Sequence, residues 1–115
     1  MDATWFLRLG LGIVFLYHGL TKSVKGFSTS FGLPTIIAIA VIFAEISGGL
    51  GYLLGGLFKD KLFGLTLTQL SSIAVIPVLL GAIYMVHWKN GFNFMNNGYE
   101  YQFVLLMTAL YLLLK

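Results

Sequence analysis

Six residues in this chain have side chains suited to chemistry and sit where chemistry would be unexpected: Arg8, His18, Lys22, Glu45, His87 and Glu100. His18 and Lys22 are four residues apart, so a helix presents them on one face. His87 ends the third apolar run and Glu100 precedes the fourth, which returns both to the level of His18 and Lys22 if the runs cross one layer in turn. Two histidines and a carboxylate could ligate iron or another divalent metal. They could also exchange protons with a quinone headgroup, with Lys22, Trp88 and Phe92 as contacts to the ring and its oxygens. No tight ligand spacing appears, so no metal site is assigned. The plain alternative is a belt of interfacial polar and aromatic residues.

Arg8 and Glu45 raise a different question, because each lies inside an apolar run. An ionisable group at that depth costs at least ~2.5 kcal/mol on insertion scales and usually finds a partner. Glu45 lies about 16 Å past Pro34, and Arg8 about 21 Å before Lys22, at the rise of an α-helix. The reach of an arginine covers that difference, so the two are expected to pair or to share a polar cavity. A structural bridge between the first two helices and a proton or ligand site both fit such a pair.

The elements that must position these groups follow from the apolar runs, 5–20, 34–58, 62–86 and 101–114. A helix needs roughly 20 apolar residues to cross a ~30 Å hydrocarbon core. Lipid cannot satisfy backbone polar groups, so such runs must be helical. The expectation is an all-α, integral membrane four-helix transmembrane bundle forming one domain over 1–115, with helices near 4–22, 34–58, 62–87 and 98–114. The chain is 58% hydrophobic and 10% charged. A soluble domain of 115 residues has too much surface to bury that apolar content, so lipid must cover part of it.

The net charge of +3 arises from scattered lysines and one arginine, which form no stripe for nucleic acid. The absence of cysteine excludes disulfides and thiolate chemistry. The start, Met1 to Trp5, has no basic region and no small-residue cleavage site comes after it, so the first run reads as a retained helix. Four spans put both termini on one side together with Lys59-Asp60-Lys61. Arg8, Lys59, Lys61 and Lys115 against Lys22, Lys25 and Lys89 then favour cytoplasmic termini.

The second run is rich in glycine. Gly48, Gly49, Gly51 and Gly55 are expected to pack closely against the first helix, which offers Gly12 and Gly19. In the third run Pro77 is expected to kink the helix, and Gln69, Ser71 and Ser72 to serve neighbour packing. The aromatic segment from His87 to Glu100, with Asn-Gly at 90–91 and 97–98, is expected to fold against the membrane surface.

These motifs together resemble the DoxX family of small membrane proteins. Arg8-Leu9-Gly10 followed by His18-Gly19-Leu20-Thr21-Lys22 is similar to its opening signature. Ala44 to Gly49, ending in Leu54-Gly55, is similar to its second-helix motif. His87 to Phe92 and Gly98 to Tyr101 resemble its third and fourth segments. The resemblance implies a four-helix bundle in the cytoplasmic membrane of a bacterium or archaeon. It also implies kinship with thiosulfate:quinone oxidoreductase subunits. The family positions are Arg8, His18, Lys22, Glu45, Gly48, Gly49, His87, Trp88, Gly91, Phe92 and Glu100. Many relatives carry a polar, glycine-containing tail beyond the fourth helix, where this sequence ends at Lys115.

The function implied is a redox-linked, quinone-interacting membrane subunit. His18, His87 and Glu100 would exchange protons, and Arg8 with Glu45 would hold the bundle or relay a proton. Without cysteine or a haem or flavin signature the chain needs a bound quinone, a membrane or peripheral redox partner protein, or both. A homo-oligomer is compatible with this. The alternatives are a non-enzymatic anchor or assembly partner and a small-molecule transporter; no inverted repeat supports the latter.

Overall fold

Long apolar runs satisfy their backbone N–H groups with their own carbonyls, and every such run in this chain is helical. A computed structural model describes residues 3–58 and 60–115. The opening residues Met1 and Asp2, and Lys59 of the charge count, lie outside the described residues. The helices are α1 (Thr4–Thr21), α2 (Val24–Phe31), α3 (Thr35–Gly55), α4 (Leu67–Ala82) and α5 (Glu100–Leu114). No strand occurs among the described residues, and the fold is all-α. Two stretches, Thr35–Gly55 and the continuous helical run Leu67–Asn90, are long and apolar enough to cross a membrane. At 15 residues α5 is shorter.

Two elements differ from expectation. The connection after Lys22 contains a helix, α2, fixed at both ends by local hydrogen bonds. The Ser23 hydroxyl accepts from Gly26 N at 3.0 Å, and Gly32, at φ 63°, closes the last turn. The third long helix begins at Leu67 and not at 62. Leu62 and Leu65 exchange both backbone hydrogen bonds across a tight turn, with Phe63 and Gly64 at φ 56° and 79°. Positive φ at both central residues makes this a hairpin-type turn that a helix cannot absorb. Thr66 and Gln69 then start α4 with a reciprocal capping box.

Past Pro77, α4 runs on through a π-helical segment, Ile83–His87, and a 3₁₀ turn, Trp88–Asn90. A π segment widens the helix and rotates the residues at its C-terminal end relative to a regular α-helix. That rotation decides where His87 points.

Helix α3 is central, with α1 on one side and α4 on the other, and α5 packs on α4. Glycine makes the close approaches. A Cβ on Gly49 would stand 2.7 Å from both Gly12 O and Leu16 N of α1. Gly48, Gly51 and Gly55 instead receive Val75, Ser71 and Thr68 of α4. The small-residue face expected to serve α1 alone therefore serves both neighbours, because Gly48 and Gly51 lie around the helix from Gly49. The core is Leu11, Phe15, Tyr52, Val75, Leu79, Ala109 and Leu112. Within it Tyr52 donates to Ser72 Oγ (2.8 Å), which donates to the Ala109 carbonyl (2.8 Å) and ties α3, α4 and α5 together.

The expected Arg8–Glu45 pair does not form. Arg8 donates to the Tyr52 carbonyl (3.3 Å) and to Thr68 Oγ1. Glu45 instead pairs with Lys22, its Oε1 lying 2.8 Å from Nζ. The cause is register. Gly19 packs on Ile46 and Glu45, and Gly12 on Gly49 and Leu53, so the end of α1 is level with Glu45. The first turns of α3 run on past that end beside α2. Tyr52 lies two helical turns beyond Glu45, about 10.5 Å along the axis. Arg8 is level with the far end of α3.

Candidate functional site

Register sets which polar groups share one space. The end of α1 brings His18 and Lys22 beside Glu45, one of the few buried charged or polar side chains in the structure. Lys22 is held from two sides, by Glu45 and by the Phe27 ring of α2, whose centroid is 5.3 Å from Nζ. His18 lies within the fields of both Lys22 and Glu45. A cavity of about 420 Å³ opens beside this group, within the range of small-molecule sites. Apolar side chains from α1 to α5 form most of its wall, among them Phe15, Phe31, Ile37, Val41, Val78, Met85 and Leu105. The polar members are His18, Lys22, Glu45, His87, Tyr101 and Gln102.

His87 reaches the cavity from the π segment, and both its ring nitrogens are engaged. Nδ1 lies 2.8 Å from the Asn97 carbonyl oxygen, and Nε2 lies 3.1 Å from Gln102 Nε2. A carbonyl can only accept, so Nδ1 carries the proton. Nε2 therefore accepts from the Gln102 amide. His87 bridges the loop and α5.

Of the expected site residues, His18, Lys22, Glu45 and His87 come together. Glu100, Trp88 and Phe92 do not line the cavity. Glu100 Oε1 accepts from Phe94 N at 2.9 Å and so closes the loop before α5. Trp88 and Phe92 pack on the Tyr99 ring, at centroid distances of 5.2 and 5.4 Å. Phe92 also meets Phe103 at 6.0 Å. Their order in the sequence put them at the right level, but the loop turns them onto one another. The Asn-Gly pairs cause this: Asn97 adopts φ 60° and Gly91 φ 79°, and Tyr99 N and Glu100 N bond back to the carbonyls of Gly91 and Phe92.

Gln102 was not among the candidate residues of the sequence. The signal was present: a lone amide two residues into an otherwise apolar segment, with no charged neighbour to explain it beyond Glu100. Arg8 marks the opposite end. With Lys61, Thr66, Thr68, Gln69 and Lys115 it lines a second cavity of about 410 Å³. Among the described residues no three or more His, Asp or Glu side chains gather as a metal set.

Residues 3–88 match the family model for DoxX. The chain is 34% identical over 116 residues to a Bacillus subtilis (strain 168) protein named "Putative oxidoreductase CatD", covering 96% of this chain and 77% of the relative. No solved structure matches it.

Proposed function

Because the chain belongs to the DoxX family, we propose that it is a quinone-binding subunit of a membrane oxidoreductase system, folded as a four-helix transmembrane bundle of α1, α3, α4 and α5. The observation that carries this reading is the cavity: a space of about 420 Å³, mostly apolar, with His18, Lys22 and Glu45 on one side and Gln102 on another. An apolar ring with polar oxygens fits walls of that kind. The relative's name supports redox chemistry, and nothing in this chain holds electrons by itself. The quinone is the carrier, and a partner protein is its electron donor or acceptor.

Lipid on four faces accounts for the exposed apolar side chains: Phe6, Ile36, Phe43 and Tyr84 are 69, 74, 70 and 79% exposed. A water-soluble surface does not carry such a set. The bundle lies in the cytoplasmic membrane with both termini cytoplasmic. Proton exchange with the quinone falls to His18 and Glu45. His87 and Glu100, both occupied in holding the loop, leave that role.

The test is purification in mild detergent followed by extraction and mass spectrometry of bound lipids. Near-stoichiometric quinone is expected with the native chain, and a several-fold loss with Ala82→Phe, which fills the cavity from its wall. A quinone content no higher than that of an unrelated membrane protein handled in parallel overturns the reading.

A further inference from the structure

The end of the bundle away from His18 and His87 has a charge and a surface that the redox reading leaves unused. The cavity of about 410 Å³ at that end is lined by three cationic residues, Arg8, Lys61 and Lys115, and none of the described residues lining it is acidic. Asp60, next to Lys61 in the chain, is exposed and does not line it. Arg8 is held by the Tyr52 carbonyl and Thr68 Oγ1, and both Arg8 and Lys115 take part in further interactions, so these two act on a ligand through their field. Lys61 is exposed and is the cation placed to meet a ligand directly. Both stretches of membrane-crossing length meet here: Thr35–Gly55 ends in the cavity at Gly55, and Leu67–Asn90 starts beside Thr66. The cavity therefore lies where hydrocarbon gives way to headgroups, whichever way α1 and α5 run. Apolar side chains flank Lys61 in the chain: Leu57, Phe58 and Leu62 are exposed, and Phe63 is 92% exposed. Phe63 also holds φ 56°, a left-handed conformation that suits glycine and not a bulky side chain. A strained aromatic left outside the fold contributes nothing to packing and is suited to apolar surroundings.

We propose that this cavity binds the phosphate headgroup of an anionic phospholipid, with Lys61 as its direct cation and with Leu62 and Phe63 set against the acyl chains. A free inorganic anion uses the cations and leaves the apolar turn in water. A phospholipid uses both: its phosphate oxygens meet the charge, and its chains cover Leu62 and Phe63. Basic pockets between membrane helices on the cytoplasmic side suit such headgroups, and the cytoplasmic leaflet carries the anionic lipids that attract them. The proposed cytoplasmic termini put this end of the bundle at that leaflet. The site is separate from the quinone cavity, so the failure of either reading leaves the other in place.

The experiment uses the full chain in mild detergent and counts bound lipid by native mass spectrometry, with dioctanoyl phosphatidylglycerol, dioctanoyl phosphatidylcholine and inorganic phosphate as probes. The native chain is expected to bind the glycerol lipid about fivefold more tightly than the choline lipid, the worth of one cation beside an anionic headgroup. Lys61→Gln is expected to bring that ratio near one. Phe63→Gly is expected to keep the ratio and weaken binding of both lipids several-fold, while melting no earlier than the native chain because glycine accepts the backbone angle. Inorganic phosphate at the concentration of the lipid is expected to displace none of it. Equal binding of the two lipids by the native chain overturns the inference. So does an unchanged preference in a folded Lys61→Gln chain, or unchanged affinity in Phe63→Gly. Displacement of the lipid by inorganic phosphate overturns the lipid assignment in favour of a free oxyanion. If Lys61→Gln does not fold, the native ratio and the phosphate competition decide the matter.

Discussion

A carboxylate buried as deeply as Glu45 is stable only while its cation stays in place. The Glu45 side chain is 4% exposed and that of Lys22 24%, so the pair is poorly screened on the acid's side. Lys22→Met leaves the acid without its ion-pair partner and is expected to cost about 1–3 kcal/mol, less than a fully enclosed pair because Lys22 keeps some contact with solvent. Adding Glu45→Gln to Lys22→Met should return much of that loss. Thermal unfolding in detergent checks the order, native, then double variant, then Lys22→Met. A Lys22→Met chain that melts with the native one removes the pair from the stability of the fold. In the sequence Glu45 was legible as a charge that needed a partner, and Lys22 as a candidate ligand contact at the end of the first helix. Their pairing was not, because it depends on how far α3 runs past α1, and only the packing of Gly12 and Gly19 sets that. His87 was legible as a polar residue at a helix end, yet its role turns on a carbonyl and an amide ten and fifteen residues away.

Among the elements, the apolar helices α1, α3, α4 and α5 were readable because an apolar run satisfies its backbone groups internally as a helix, and of these runs Thr35–Gly55 and Leu67–Asn90 reach membrane-crossing length. The breaks between them were less so. Helix α2 depends on one serine cap and one left-handed glycine, and the turn at Phe63–Gly64 on positive φ at a residue type that rarely adopts it. Glycine content was equally plain in the sequence, but the helix each glycine serves was not. The distinction is testable by adding one methyl group. Gly49→Ala places carbon 2.7 Å from two backbone atoms of α1, which cannot swing aside as a side-chain tip can. It is expected to destabilise the bundle by about 1–3 kcal/mol. Gly81 has nothing within 4 Å of the same position. Gly81→Ala is expected to be neutral or to stabilise α4 by up to about 1 kcal/mol through helix propensity. Melting curves of the two variants side by side separate close approach from composition, and equal losses would show that the α1–α3 contact yields to a methyl group.

For the molecule as a whole, the outstanding question is how many helices cross the bilayer, and its two ends frame it. Arg8, Gly55, Lys61, Thr66 and Lys115 gather at one end; Lys22, Phe27, Leu33 and His87 gather at the other. Four crossings require Ala3, Asp60 and Leu114 on one side of the membrane, and Ser30 and Asn96 on the other. Crossing by Thr35–Gly55 and Leu67–Asn90 alone would also separate Asp60 from Ser30 and Asn96, so those three positions do not discriminate. The termini do. If α1 and α5 lay along the surface, Ala3 and Leu114 would share the side of Ser30. The chain has no cysteine, so single cysteines at these exposed positions can be labelled without background. A membrane-impermeant maleimide applied to intact cells and to inverted vesicles should modify positions 30 and 96 from one side, and 3, 60 and 114 from the other. Arg8 favours the same outcome on physical grounds: it donates to Tyr52 and Thr68 of two different helices, an arrangement that keeps α1 upright against α3 and α4. Labelling of positions 3 and 114 together with 30 would reduce the crossings to two and open the α1 and α5 walls of the cavity to the membrane surface. A quinone bound as proposed would then have to enter from the headgroup region and not from between helices.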